Sequence, residues 1–375
     1  MTAMPVVVSE AEERVSVAPN WLLVWWRFRK NKLALFSSVV LILICIVALF
    51  PGFFSTQDPQ ESTSRLAFIP LQTLHFFDEG RFQPFVYGVV GNRDPKTLQM
   101  KWAIDTTKKI PVQFLVKGYT YEVLGLFSTD WHLLGVKSEE EGARPEIYLM
   151  GTDRLGRDQW SRLTYGIQTS ISIGVIGVIL SVILGVLLGG ISGYVGGLPD
   201  TIIQRVIELL QSLPTIPIWM AMTAALPRDW PPSKVYFAIT VILSLIGWTT
   251  LGREVRGRFL SLREEDFVVA AQLSGCSQLR IITHHMVPAF ASHIIATSTL
   301  AIPSMIISET ALSFLGLGLR APAISLGVLL QEAQTLQAVA LAPWLLYPGI
   351  AVILIVLTLN LIGDGLRDAA DPYSN

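Results

Sequence analysis

Charge is scarce in this 375-residue chain: Asp, Glu, Lys and Arg make up 15% of it, against 51% hydrophobic residues. Soluble domains carry roughly 25% charged residues, so a chain of this size could not clothe a water-facing surface. The formal net charge of −1 leaves no basic excess and excludes a nucleic-acid binder on electrostatic grounds. Cysteine is also scarce. Cys45 falls in an apolar run and Cys276 in a polar stretch, so they form no disulfide framework and have no metal-ligand spacing. There is no Gly-rich phosphate loop ending in Lys-Ser/Thr, which excludes ATP hydrolysis by that route. Nucleophile elbow, H-E-x-x-H and paired catalytic carboxylates are missing too. No catalytic, cofactor-binding or metal-binding residue is therefore assigned. What remains, with a mean hydropathy of +0.51, is an all-α polytopic membrane protein.

About 20 apolar residues cross ~30 Å of hydrocarbon, and six stretches qualify: Leu33–Phe54, Ile171–Tyr194, Ile202–Leu226, Val235–Leu251, Phe290–Leu312 and Pro343–Ile362. Pro214 and Pro217 interrupt the third and Pro303 the fifth. These prolines are either packing kinks or breaks that line a pathway. Arg27, Arg29, Lys30 and Lys32 precede the first span, and Arg253, Arg256, Arg258 and Arg263 follow the fourth. The positive-inside rule puts both clusters, and with an even span count both termini, in the cytoplasm. The first span is too long for a signal peptide and has no A-x-A site after it. Ahead of it, Trp21, Trp25, Trp26 and Phe28 alternate with bases between Pro19 and Lys32, as in a helix lying in the headgroup layer.

The stretch between the first two spans is different in kind. VYGVVG, VQFLVKGYTYEVLGLF and PEIYLMG are β-prone runs set off by Gly, Pro and Asp, which predicts a small external β-rich insert. Its Trp102, Tyr119, Tyr121 and Trp131 read as packing material rather than a ligand face. In the second span, Gly185, Gly189, Gly190 and Gly193 lie mostly on one helix face and permit close helix approach. Arg205 and Glu208, three apart, can pair. Glu309 is the deepest charge, with a pathway or gating role or a place near the external end both open. His284 and His285 lack companion ligands.

Between the fourth and fifth spans, Arg253 to Pro288 reads REVRGRFLSLREEDFVVAAQLSGCSQLRIITHHMVP. Val268, Ala270, Ala271, Leu273 and Ile281 recur at near-helical spacing and Gly275 interrupts them. That spacing predicts two short helices meeting at a glycine, a surface suited to docking on a soluble partner. The loop resembles the coupling loop of ATP-binding-cassette importer permeases. Asp266, Ala270, Ala271, Gly275, Ser277, Ile281, His285 and Pro288 match that motif, while Val269 replaces its usual glutamate. Three further segments resemble the oligopeptide/dipeptide/nickel branch, in its OppC/DppC-like subunit. They are GTDRLGRDQWSRLTYGIQTSISIGV from Gly151, SETALSFLGLGL from Ser308, and PWLLYPGIAVILIVLTLNLIGDGLRDAADP from Pro343. Gln168 departs from a frequent arginine there. Asp153, Arg154, Arg157 and Asp158 sit in turns where they can pair locally.

The resemblance implies a type I ABC importer permease fold and a non-catalytic membrane subunit with ATP bound on its partners. Those partners would be a homologous OppB/DppB-like permease subunit, two cytoplasmic ABC ATPase subunits and an extracytoplasmic solute-binding protein, all at the lipid bilayer of a prokaryotic cytoplasmic (inner) membrane. ATPase coupling would fall to Asp266, Ala270, Ala271, Gly275, Ser277, Ile281 and Pro288, with Pro214, Pro217, Pro303 and Glu309 as pathway or gating positions. The expected organisation is a cytoplasmic amino-terminal part (1–32), a first span (33–54), an external insert (55–165), a permease core (166–364) with its coupling loop (253–289), and a cytoplasmic tail (365–375). The cargo would be peptides, or alternatively oligosaccharides or metal chelates. A membrane sensor or enzyme built on the insert is the reading from another class, and it lacks a cytoplasmic catalytic domain.

Overall fold

The structure, a computed structural model, describes residues 20–93, 95, 100–136 and 147–370. The expected PEIYLMG strand lies partly outside these residues, as do Pro19, Asp371 and Pro372. Helix α1 (Asn20–Phe28) leads into α2 (Lys32–Leu49), which is capped by the Asn31 side chain accepting from Ala34 N at 3.1 Å. Phe28 turns inward onto Ala34, Ile362 and Ala369, so α1 is partly docked on the last helix, while Trp25 and Trp26 remain exposed. A short helix, α3 (Pro51–Phe54), ends the first span.

Among the described residues the insert follows as five strands. β1 (His75–Asp78), β2 (Arg81–Arg93) and β3 (Met100–Pro111) form an antiparallel sheet in that order; β4 (Gln113–Val123) and β5 (Phe127–Gly135) form a separate hairpin. Val86, Ile110, Val112 and Ile147 make its small core.

The membrane part resumes with α4 (Gln159–Val195), α5 (Gly197–Ser212), α6 (Thr215–Ala224) and α7 (Pro232–Leu262), then α8 (Asp266–Leu273) and α9 (Gln278–Phe314, with a π-helical turn at Ile281–Met286). Short helices α10 (Leu326–Gln331) and α11 (Leu336–Leu341) precede α12 (Tyr347–Ala370). Among the described residues five helical segments are long and apolar enough to span: Lys32–Leu49, Gln159–Val195, Pro232–Leu262, Gln278–Phe314 and Pro343–Ala369.

The expected sixth span, Ile202–Leu226, is not one helix. Leu213 is extended (φ −95°, ψ 142°), as the residue before a proline prefers, and Pro214 separates amphipathic α5 from α6. At 10 residues, α6 covers about 15 Å, half the hydrocarbon thickness. Pro303, by contrast, does not interrupt its helix: α9 runs through it and buries it. The polar loop is also shorter than 253–289. Helix α7 continues through the arginines to Leu262, and α9 already starts at Gln278, because hydropathy marks the membrane surface while backbone hydrogen bonding carries the helix into water.

Helices α4 and α7 form the tightest crossing. A Cβ on Gly189 would lie 2.9 Å from Gly252 Cα, and one on Gly193 2.7 Å from the Arg256 carbonyl. The glycine face expected from sequence is thus a backbone-to-backbone contact.

Candidate functional site

Helix α8 and the turn after it form a compact exposed surface, the candidate docking site. Asp266 stands in the first turn of α8, where the helix dipole favours a carboxylate. The helix ends in a Schellman motif: Cys276 N donates to the Ala271 carbonyl at 3.1 Å and Gly275 N to the Gln272 carbonyl at 2.9 Å, with Gly275 at φ +74°. Only glycine takes that φ without strain. Ser277 then starts α9, its carbonyl accepting from Ile281 N at 3.0 Å.

The seven coupling positions divide into two sets. Ala271 and Ile281 point inward, joining Val255, Phe259, Leu262, Val268 and Met286 in one core. They fasten the loop to the spans and face no partner. Asp266, Ala270, Gly275, Ser277 and Pro288 are exposed. Beside them are Phe267, Val269, Leu273 and Leu279, large apolar side chains open to solvent, with Leu273 86% exposed. Sequence periodicity grouped Ala270 and Leu273 with the inward residues and passed over Phe267 and Leu279. Their signal was present as apolar residues off the core face of an amphipathic helix.

The surface has a rigid backing. Arg256 grips Asp200 with both nitrogens, Nε–Oδ1 at 2.6 Å and Nη2–Oδ2 at 2.7 Å, tying α7 to α5. The guanidinium holds the Asp200 carboxyl below the usual range. Gln272 Nε2 donates to Tyr194 Oη at 3.1 Å, joining α8 to the end of α4. The Arg205–Glu208 pair forms as expected, at 2.7 Å, fully on the surface.

At the other end of the bundle lies a buried charge cluster. Asp153 pairs with Arg157 (2.6 Å) and with Arg162, and Glu332 Oε1 meets Arg157 at 2.6 Å and Arg162 at 2.9 Å. Two carboxylates and two guanidinia balance, which lets so many charges be buried together. The local pairing expected among Asp153, Arg154, Arg157 and Asp158 is thereby only partly realised. Asp158 caps α4, accepting from Ser161 N at 2.8 Å and Thr56 Oγ1 at 3.1 Å; burial pushes its carboxyl up to about 6 against the pull of those bonds.

Of the pathway positions, Pro214 and Pro217 are exposed on the α5–α6 break, whereas Pro303 and Glu309 are buried. Glu309 accepts from Ser170 Oγ at 3.0 Å and Ser313 Oγ at 2.8 Å, and Ser170 Oγ accepts from Leu326 N at 3.2 Å. This charge knots α4, α9 and α10 together and faces no open space. It does not meet the prolines of the α5–α6 break.

The polytopic core has counterparts in known proteins. Residues 181–373 match the family of binding-protein-dependent transport system inner membrane components, and residues 20–71 match the N-terminal membrane domain of oligopeptide transport permease C. The chain belongs to this family of permeases. The permease is 39% identical to the dipeptide transport system permease protein DppC of Alkalihalophilus pseudofirmus, over 59% of its own length and 71% of that protein's. With the oligopeptide permease OppC of Mycobacterium tuberculosis it shares 39% over 60% and 76%, and with OppC of Escherichia coli 37% over 65% and 77%. A structural likeness to an inward-facing MetNI methionine ABC transporter has a TM-score of 0.44 at 14% identity, covering 56% of this chain and 97% of that one. The two family matches leave 72–180, the insert and the start of α4, outside them.

Proposed function

We propose that this permease forms half of the translocation pathway of an ATP-driven peptide importer and takes its power stroke through α8. A homologous OppB/DppB-like permease supplies the other half, two cytoplasmic ATPases bind and hydrolyse ATP, and an extracytoplasmic binding protein delivers the solute. The observation that carries this reading is the α8 surface: apolar side chains exposed beside a Gly turn, on a base packed into the spans. Closure of the ATPases on ATP would push α8, and the core under it would pass that push to α4, α7 and α9 as a rigid-body tilt. The α5–α6 break, with Pro214 and Pro217 exposed, gives the pathway side an element already divided at mid-membrane. Both termini and α8 face the cytoplasm in this reading.

Gly275 provides the test. A Cβ there meets no atom within 4 Å, so this chain itself leaves room for a side chain. Gly275→Ala and Gly275→Glu carry the same left-handed backbone strain, about 1–2 kcal/mol, but only glutamate adds bulk and charge at the contact. The expected result is that Gly275→Glu inserts normally yet loses ATPase association and transport, while Gly275→Ala retains most of both. Equal behaviour of the two variants would refute the docking role.

A further inference from the structure

The hairpin β4–β5 packs on Gly52 and Ser55 at the end of the first span. Contacts along α4 set a depth scale, since Trp160 Nε1 donates to the Phe54 carbonyl at 2.7 Å whereas Thr164 Oγ1, one turn further into the membrane, reaches the Pro51 carbonyl at 3.3 Å. Gly52 is thus deeper than Ser55. β4 packs along this same segment: Tyr119 Oη meets Ser55 Oγ at 2.5 Å and Tyr165 Oη at 3.3 Å, and two residues later the Tyr121 ring lies against Gly52, its Cγ 2.5 Å from where a Cβ would be. His132 on β5 clamps this contact, Nδ1 lying 2.8 Å from the Gly52 carbonyl and 3.0 Å from that of Ser55. The turn then lies about 10 Å of strand past Tyr121 at 3.3 Å per residue.

The turn is apolar. Leu124, Gly125, Leu126 and Phe127 carry no charge, and the three side chains are 55%, 79% and 60% exposed. Leu124 (φ +50°) and Gly125 (φ +70°) are both left-handed, the turn closing with Leu126 N donating to the Val123 carbonyl at 2.9 Å. Asn or Asp is the usual non-glycine residue in such a position; a leucine held there despite strain is an outlier that points to use of its side chain. Further from the tip, beyond the exposed Glu122, Lys117 lies over the exposed Trp131 ring at 5.8 Å and pairs with Asp130 Oδ2 at 3.3 Å. Apolar tip below, tryptophan and lysine above, is the polarity profile of a membrane interface. The apolar surface continues on α2, whose Ile46 and Leu49 are exposed beside α3.

We propose that the β4–β5 tip is a lipid-inserting wedge, with Leu124, Leu126 and Phe127 at the headgroup–acyl boundary of the leaflet beneath the insert. The wedge fixes the insert's height over the permease and resists its tilting away from the bilayer. Which leaflet this is follows from the orientation proposed above; insertion itself does not depend on it.

The test uses the assembled importer in phosphatidylethanolamine–phosphatidylglycerol nanodiscs, with Cys45 and Cys276 replaced by Ala and a nitroxide on Leu126→Cys. A second label goes on Phe127→Cys, and a reference label on Glu79→Cys at the exposed β1–β2 turn. Accessibility to oxygen, which partitions into lipid, is compared with that to a water-soluble nickel chelate. Oxygen should win at 126 and 127 and the chelate at 79. Preference for the chelate at 126 and 127 would place the tip in water and overturn the wedge. Low access for both reagents with a broadened spectrum would mean that a protein, such as the second permease subunit or the binding protein, covers the tip, and would overturn it equally. None of these readings depends on ATPase docking, so a failure here is separate from a failure at α8.

Discussion

Leu273→Asp separates folding from coupling. Leu273 is 86% exposed at the last turn of α8, so the chain alone should feel the change by no more than about 0.5 kcal/mol. If an ATPase covers this leucine, burial of its side chain contributes about 1.5–3 kcal/mol to association. Aspartate forfeits that and leaves a carboxylate in a desolvated contact. A loss of about 2 kcal/mol or more is roughly thirty-fold in affinity. Leu336→Asp is the matched control: Leu336 is 90% exposed on α11, at the opposite end of the bundle. Thermal melts of both purified variants should match the parent. Titration of the ATPases onto reconstituted permease should show weakened binding for Leu273→Asp alone, with transport falling in parallel. Parental affinity and transport in Leu273→Asp would refute the argument that α8 meets its partner through this face.

The buried Asp158 should make the clasp between α4 and the insert pH-sensitive. Its carboxyl, raised to about 6, keeps its proton in the fold while the unfolded chain ionises near 4, so stability falls as pH rises from about 4 to about 6 and then levels. Asp158→Asn keeps an acceptor for Ser161 N and does not titrate; its melting temperature relative to the parent should rise across that window, and a pH-independent difference would count against it. Gly189→Leu should abolish assembly of the bundle, because its Cβ already falls 2.9 Å from Gly252 Cα; a variant that purifies and melts like the parent would contradict the crossing. Single cysteines at Thr120 and Ser274, both exposed, should react with an impermeant maleimide from opposite sides of sealed vesicles, and equal labelling from one side would overturn the orientation.

The membrane part was legible in the sequence because hydropathy averages over twenty residues, and the same averaging hid the split of its third span. Across Ile202–Leu226 the window sees continuous apolarity, while Pro214 acts on a single peptide and splits the element. Helix α8 was legible as an amphipathic unit with a Gly stop. Its two apolar faces were not distinguishable, since periodicity says which residues share a side and not whether the chain or a partner covers it; Ala271 and Leu273 look alike until Phe259 and Met286 are placed. Pairings across long separations left no local trace. Arg162 and Glu332 are 170 residues apart, and the serines that satisfy Glu309 come from two different helices.

The stem of the insert has a consequence for how such a chain can change. Thr56 N and Gln57 N both donate to Ser161 Oγ at 3.0 Å, so the chain leaves the bundle and returns to it at one point, stitched shut. What hangs between those stitches can lengthen at little entropic cost, since each doubling of a loop costs only about 0.6 kcal/mol. The bundle thus offers a socket into which compact modules with neighbouring termini can be spliced, exchanged or trimmed while the α8 surface at its far end stays as it is.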